Sequence, residues 1–343
     1  MKAVVFHEHG EVDRLQYADM PDPRPGRGEV LVKVHACALN HLDIWVRLGG
    51  RPASLPMPHI SGSDIAGTVA ETGPEVEGVA TGARVIVAPG LAPAGSEYVL
   101  TDRDSGDPDF KIIGFQTQGG YAEYVTVPAR NLIPVSDRYS YEEWASFPLV
   151  FLTAWHMLFA RLQLRCGETV LVQSAGSGLG IAAIQLAKLA GARVITTAGT
   201  DEKLRRAKEL GADETINYQT QDFVQETRRL TDKQGVDAVF EHVGGETFTR
   251  SLDVLKRYGR LANCGVTTGA EVKFNLQQVF AKHLTIHGSY MGSIGELKKV
   301  TALAEQGKVK PVIDQIFPLQ DARAAQQRML DRKNFGKIVL KVV

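Results

Sequence analysis

Cysteine is scarce in this chain. Three residues among 343, Cys37, Cys166 and Cys264, are too scattered for a disulfide framework or a paired metal-ligand spacing. They fit reduced thiols and a cytoplasmic location. Excess charge of either sign is also missing: 39 Lys and Arg stand against 39 Asp and Glu. No electrostatic footprint for nucleic acid or an anionic membrane follows from that balance. No stretch reaches the ~18 unbroken apolar residues that a membrane span needs. Residues 1–6 are too short for a signal peptide and read directly as a strand. Internal repeats and low-complexity linkers are absent. What is present is ordinary globular composition, 44% hydrophobic and 23% charged, in a chain long enough for two domains.

The most informative local pattern lies midway. Thr169–Val172 reads as a buried parallel strand, apolar and β-branched without alternation. Ala175, Gly176, Ser177, Gly178, Leu179 and Gly180 then make a turn of small residues, and residues 181–189 continue as a helix stopped by Gly191. Such a turn lets backbone approach a pyrophosphate, whose charge the first helical N–H groups receive. Taken alone it is equally an ordinary strand-to-helix connection, since Ala175 and Ser177 replace the first two glycines of G-x-G-x-x-G. The surroundings decide. Residues 192–198, 214–218, 236–243, 259–265 and 284–290 read as further strands, with helices at 201–210, 223–230 and 247–255. That alternation predicts an α/β, doubly wound parallel sheet.

The first 145 residues differ in texture. Short strands at 30–36, 65–71, 83–88 and 122–127 are separated by glycine and proline, which predicts a small β-barrel. Pro21, Pro23 and Pro25 form an extended connector. Residues 337–343 are strand-like and are expected to return to the barrel, so that the sheet domain is an insertion.

These segments together resemble the medium-chain dehydrogenase/reductase superfamily from end to end. The resemblance is carried by Glu29-Val30-Leu31-Val32-Lys33-Val34, Gly67-Thr68-Val69-Ala70-Glu71-Thr72-Gly73, Gly119-Gly120-Tyr121-Ala122-Glu123-Tyr124, Leu152-Thr153-Ala154-Trp155 and the cofactor turn. It implies a GroES-like barrel domain at 1–148 and 288–343, and a Rossmann domain at 149–287 with strand order 3-2-1-4-5-6. It also implies an active site in the cleft between the two.

In zinc-dependent members of that superfamily a Cys, a His and a Cys hold the catalytic metal. The corresponding positions here are Asn40, Ser63 and Leu149, an amide, a hydroxyl and an aliphatic chain, which are not zinc donors. The family's four-cysteine lobe keeps its spacing at Pro93, Ser96, Val99 and Asp107 without any thiol. His41, His59 and Asp64 are chemically capable of binding a different metal, but no paired ligand spacing supports it. No metal is expected. The nearest branches are then the quinone oxidoreductases and enone reductases. Their N-x-x-D-x-[YW] stretch resembles Asn40 to Trp45, which implies that Asn40 and Trp45 face the nicotinamide and substrate; Trp45 as plain core is the alternative. Asp43 reads as a structural hydrogen-bonding residue.

An NAD-binding fold ordinarily carries an acid after its second strand, about 20 residues beyond the turn. Ala198, Gly199 and Thr200 stand there instead. Lys203 and Tyr218 match positions that hold the 2′-phosphate in NADPH-dependent quinone reductases, and Thr200 adds a hydroxyl. Asp201 and Glu202 oppose this unless they serve the helix dipole. NADP(H) is therefore favoured over NAD(H). By the same resemblance Thr153 lies beside the nicotinamide ring, Val243, Gly244, Gly265 and Val266 line the cofactor at strand ends, and the segment through Arg332 to Lys337 brings a basic residue toward the cofactor phosphate. Asn40, Trp45 and Ser63 are the candidate catalytic residues. The expected activity is metal-free hydride transfer from NADPH to a quinone or α,β-unsaturated carbonyl. An alcohol or aldehyde dehydrogenase on the same scaffold and a non-catalytic nucleotide-binding protein are the alternatives. A homodimer paired through residues 284–290, with Ile286 and Tyr290 on the rim, is the expected assembly. Substrate choice is assigned to loops 49–58 and 267–275 and to the lobe.

Overall fold

The structure is a computed structural model that describes residues 1–50 and 55–342. Four residues of the predicted substrate loop 49–58, and Val343 of the predicted last strand, lie outside the described residues. The chain divides into two compact units, Met1–Leu149 with Gly292–Val343, and Val150–Met291. Among the described residues, no helix is long and apolar enough to cross a membrane.

The second unit is built on six parallel strands: β1 (Thr169–Val172), β2 (Arg193–Ala198), β3 (Glu214–Asn217), β4 (Val236–Glu241), β5 (Leu255–Asn263) and β6 (Thr285–Gly288). They lie in the order 3-2-1-4-5-6. β1 is flanked by β2 and β4, and Val170, Leu171 and Val172 are wholly buried. That explains why this strand is apolar throughout instead of alternating. Helices Phe223–Leu230 and Gly245–Asp253 place Phe223 and Leu252 against Leu171, Val239 and Leu261 of the sheet. β5 begins earlier than the sequence pattern suggests, because Tyr258 takes a left-handed conformation (φ 60°) inside the segment and strand pairing resumes after it.

In the first unit a seven-stranded sheet runs Leu132–Pro134, Arg84–Val87, Asp64–Thr72, Glu29–Ala38, Lys337–Lys341, Ile313–Pro318, with Tyr124–Pro128 also paired to Glu29–Ala38. Gln16–Asp19, Lys2–Phe6 and His59–Ile60 form a separate three-stranded sheet. The last strand does return: Val339, Leu340 and Lys341 pair with Ala38, Cys37 and Ala36. Gly67 falls inside the predicted strand 65–71. It lies within Asp64–Thr72, where a Cβ would stand 2.1 Å from the Lys33 carbonyl oxygen, so the two strands meet this closely only over glycine.

The predicted lobe is closed by local bonds. Ser96 Oγ accepts from the Val99 amide at 3.3 Å and caps the short helix Glu97–Leu100, and Asp107 Oδ1 accepts from the Asp109 amide at 2.8 Å. The Phe110 ring packs on Gly90, 2.6 Å from where a Cβ would lie.

Candidate functional site

The cofactor turn follows β1. Ser174 is left-handed (φ 59°), which turns the chain sharply, and the Ala175 amide donates to Thr197 O at 2.8 Å. Ser177 caps helix Gly178–Leu189: its Oγ accepts from the Gly180 amide at 2.8 Å and donates to Ser174 O at 2.9 Å. Such a cap is worth about 1 kcal/mol. It uses the third helical amide and leaves those of Gly178 and Leu179 for an anion. Gly180 is where backbone approaches most closely; a Cβ there would stand 2.3 Å from Ser174 O. The helix begins at Gly178, before the predicted residue 181, because of this cap.

Beyond β2, Thr200 Oγ1 accepts from the Lys203 amide at 3.3 Å and caps helix Asp201–Glu209. The two acids of its first turn point elsewhere. Asp201 Oδ1 accepts from Asn217 Nδ2 at 2.7 Å, and Glu202 pairs with Arg205 at 2.7 Å. Tyr218 is half exposed, and its hydroxyl lies 2.8 Å from where a Cβ on Gly199 would be, so the ring covers that glycine.

Glu241 went unnoticed in the sequence, although a charged residue ending the apolar run of β4 is a visible anomaly. It is fully buried, and its Oε1 accepts from the Val243 and Gly244 amides at 2.8 and 2.9 Å. Its other oxygen accepts from Asn263 Nδ2, which also donates to Gly265 O at 2.8 Å. One carboxylate therefore ties together the loops after β4 and β5 that carry the predicted Val243, Gly244, Gly265 and Val266. Burial raises its pKa, and these donors offset part of the rise. Gly244 is held at φ 80° with a would-be Cβ 2.5 Å from Gly269 O, while Val266 is exposed. Thr153, on helix Pro148–Trp155, is buried with its hydroxyl unpaired. The turn, the loops and this hydroxyl fit a nicotinamide dinucleotide.

In the first unit the ends of three neighbouring strands bring Asn40, Asp64 and Lys337 together. The Lys337 ammonium donates to Leu39 O at 2.6 Å, Asn40 Oδ1 at 2.6 Å and Asp64 Oδ2 at 2.9 Å. Asn40 Nδ2 donates to Asp64 Oδ2 at 2.8 Å, and the Leu149 amide to Asp64 Oδ1 at 2.7 Å. The side chains of Lys337 and Asp64 are 6% and 0% exposed. Removing one partner of so buried a pair costs about 3–5 kcal/mol. The predicted approach of the C-terminal basic segment to a cofactor phosphate does not hold for Lys337, whose three protons are all committed within the strand ends.

A second network supports Asn40. Asp43 Oδ2 accepts from the Asn40 amide at 2.7 Å and from Tyr121 Oη at 3.0 Å, and Oδ1 from the Gly62 amide at 3.2 Å. This matches the structural role read for Asp43. Its complete burial pushes its pKa to about 7 despite those donors. Trp45 is half-buried on helix His41–Arg47, edge-on to His41 with centroids 5.9 Å apart. Ser63 is fully buried with Oγ unpaired.

At the positions expected for zinc ligands the chain thus offers an amide bound by Lys337 and Asp64, an isolated hydroxyl and an aliphatic side chain. Asp64, the carboxylate next to Ser63, accepts from three donors, Lys337 and Asn40 on Oδ2 and the Leu149 amide on Oδ1. His59 Nε2 lies 3.2 Å from Gly114 O, and its ring packs on Phe6. Among the described residues no group of three or more His, Cys, Asp or Glu is placed to share a metal. These donors do not fit a tetrahedral zinc.

Residues 26–137 match the alcohol dehydrogenase GroES-like domain family and residues 178–306 the zinc-binding dehydrogenase family. A zinc-type alcohol dehydrogenase-like protein of Schizosaccharomyces pombe is 31% identical over 100% of this chain and 99% of its own. The quinone oxidoreductase of Mus musculus is 28% identical over 99% and 97%. A crystal structure of an NAD-dependent alcohol dehydrogenase superposes with a TM-score of 0.97 at 45% identity, covering 100% of both chains. With both family domains matched in order and relatives aligned along its whole length, the chain belongs to the medium-chain dehydrogenase/reductase superfamily and is an NAD(P)-dependent oxidoreductase.

Proposed function

We propose that the protein is a zinc-independent reductase that uses NADPH to reduce a quinone or an α,β-unsaturated carbonyl. The observation that carries this reading is the replacement of zinc donors by Asn40, Ser63 and Leu149 around a carboxylate already neutralised by Lys337. Without a strong Lewis acid, an isolated carbonyl is a poor hydride acceptor. A conjugated acceptor delocalises the incoming charge and needs less help. When bound, the reduced nicotinamide supplies the hydride.

This chain's own groups then have three tasks. Ser177, Gly178, Gly180 and the Glu241-tied loops bind the dinucleotide. The free Asn40 amide hydrogen donates to the acceptor's oxygen as charge develops there. Trp45 offers an apolar wall, and the acceptor's final proton comes from solvent or a nearby hydroxyl. For the coenzyme, the missing acid after β2, the diversion of Asp201 and Glu202 to protein partners, the place of Lys203 in the first turn of the helix after β2 and that of Tyr218 over Gly199 support NADPH.

A second reading, an alcohol or aldehyde dehydrogenase, is favoured by relatives such as the 32% identical NAD-dependent alcohol dehydrogenase of Sulfolobus acidocaldarius. The deciding assay follows nicotinamide absorbance with NADPH and NADH against quinones, enones, aldehydes and alcohols, with and without a chelator. Chelator-resistant oxidation of NADPH by quinones or enones supports the proposal. Alcohol oxidation abolished by chelation defeats it, and cofactor binding without turnover on any substrate would mark a non-catalytic nucleotide binder.

A further inference from the structure

We propose that Lys337 is a positioning residue that fixes and polarises the Asn40 amide, so that it presents a single N–H to the substrate oxygen. The proposal rests on the reading of Asn40 given above, and it concerns what makes that amide competent. An ammonium group has three protons and no acceptor. Those of Lys337 go to Leu39 O, Asn40 Oδ1 and Asp64 Oδ2 at 2.6, 2.6 and 2.9 Å. No donor remains for a substrate or phosphate, so Lys337 acts through its neighbours.

Its effect on Asn40 is specific. Lys337 can only donate, so it must face the amide oxygen; ionised Asp64 can only accept, so it must face the amide nitrogen. Turning the amide over would oppose like groups at both contacts. The planar amide is thereby held in one orientation, with one Nδ2 hydrogen on Asp64 and the second left over, its direction fixed. A cation on the amide oxygen also draws charge from the nitrogen and makes the leftover N–H a stronger donor, as linked hydrogen bonds polarise one another. Such a donor favours an acceptor that gains negative charge on oxygen during reaction.

The test uses the full chain with reduced cofactor and the substrate that the wild type turns over fastest. Lys337→Met strands the buried Asp64 charge and is expected to lower both melting temperature and kcat. The pair Lys337→Met with Asp64→Asn removes both charges and separates stability from positioning. Its melting temperature is expected to recover toward wild type, whereas kcat stays down by about a hundredfold, the scale of loss for a misplaced group. Cofactor affinity should stay as in the wild type. A double variant that regains kcat together with stability overturns the proposal.

A second measurement needs no Lys337 variant. The Asn40 side-chain amide, assigned in a nitrogen-15 spectrum by its loss in Asn40→Asp, should show two distinct protons, the one held by Asp64 exchanging slowly with solvent. Exchange at the rate of an exposed asparagine overturns the proposal. If alcohols prove to be the substrates, the functional reading fails while the same variants, assayed with the alcohol, still decide the role of Lys337.

Discussion

Trimming Lys203 to alanine tests how this chain selects its coenzyme. The side chain leaves the first turn of helix Asp201–Glu209, whose start is held by Thr200 Oγ1 on the Lys203 backbone amide at 3.3 Å. That bond does not involve the Lys203 side chain, so the helix start survives the substitution. The two acids that precede it are turned to protein partners, Asp201 to Asn217 Nδ2 and Glu202 to Arg205. A charge-assisted hydrogen bond is worth about 1.5–3 kcal/mol. At 1.4 kcal/mol per tenfold, Lys203→Ala should raise the NADPH dissociation constant about 10- to 150-fold. NADH has no 2′-phosphate and should bind as before.

Quenching of protein fluorescence, or enhancement of the reduced nicotinamide's own, gives both constants. Gly180→Ala serves as the contrast. Its new methyl would sit 2.3 Å from the Ser174 carbonyl oxygen, in the turn that serves the pyrophosphate common to both cofactors, so NADPH and NADH should weaken together. Equal losses for the two cofactors in Lys203→Ala, or none for either, would refute the 2′-phosphate role. Tighter wild-type binding of NADH than of NADPH would remove the coenzyme assignment altogether.

Glu241→Gln can keep one oxygen on Val243 and Gly244 only by turning its amide NH2 toward the Asn263 donor. A loss of about 1–3 kcal/mol in urea unfolding, with weaker binding of both cofactors, is expected; a stable variant with unchanged affinity contradicts the tie between the two loops. Asp43 gives a pH dependence. Its folded pKa, about 7, is above its unfolded value, so the stability it contributes is full below pH ~4 and fades as pH rises toward 7. The wild type should therefore lose stability relative to Asp43→Asn across that window, and urea midpoints moving the other way would count against buried protonation. The dimer proposed through β6 is tested by Ile286→Asp, since Ile286 and Tyr290 are 38% and 50% exposed at this sheet edge. Light scattering should show two chains for the wild type and one for the variant, and a one-chain wild type removes the claim.

The second unit was legible in sequence because its elements are specified locally. Helix Phe223–Leu230 has the bounds its pattern suggests, and Asp222, which accepts from the Val224 and Gln225 amides, stops it from starting earlier. Buried β1 is apolar because both neighbours cover it. Boundaries slipped where a backbone conformation overrode pattern: at Tyr258 inside β5, and at Gly244, whose positive φ starts the next helix at Gly245. The polar groups of the first unit are a different case. Asn40 and Asp64 are 24 residues apart, and Lys337 lies 297 and 273 residues beyond them. No periodicity connects such positions.

The buried charges nevertheless left a trace, as polar residues at the ends of apolar strands: in the first unit Asp64 opens Asp64–Thr72 and Lys337 opens Lys337–Lys341, and in the second Glu241 closes β4. A charge at such a place must find a partner once the strand is buried, so its existence can be read in one dimension while the identity of the partner cannot. That distinction changes the chemistry assigned to Asp64. In sequence it is a carboxylate chemically capable of taking a metal; bonded to Lys337, Asn40 and the Leu149 amide it is a buried counter-ion. The same side chain supports opposite mechanisms according to one lysine nearly three hundred residues away, and the behaviour of Asn40 when that lysine is removed decides between them.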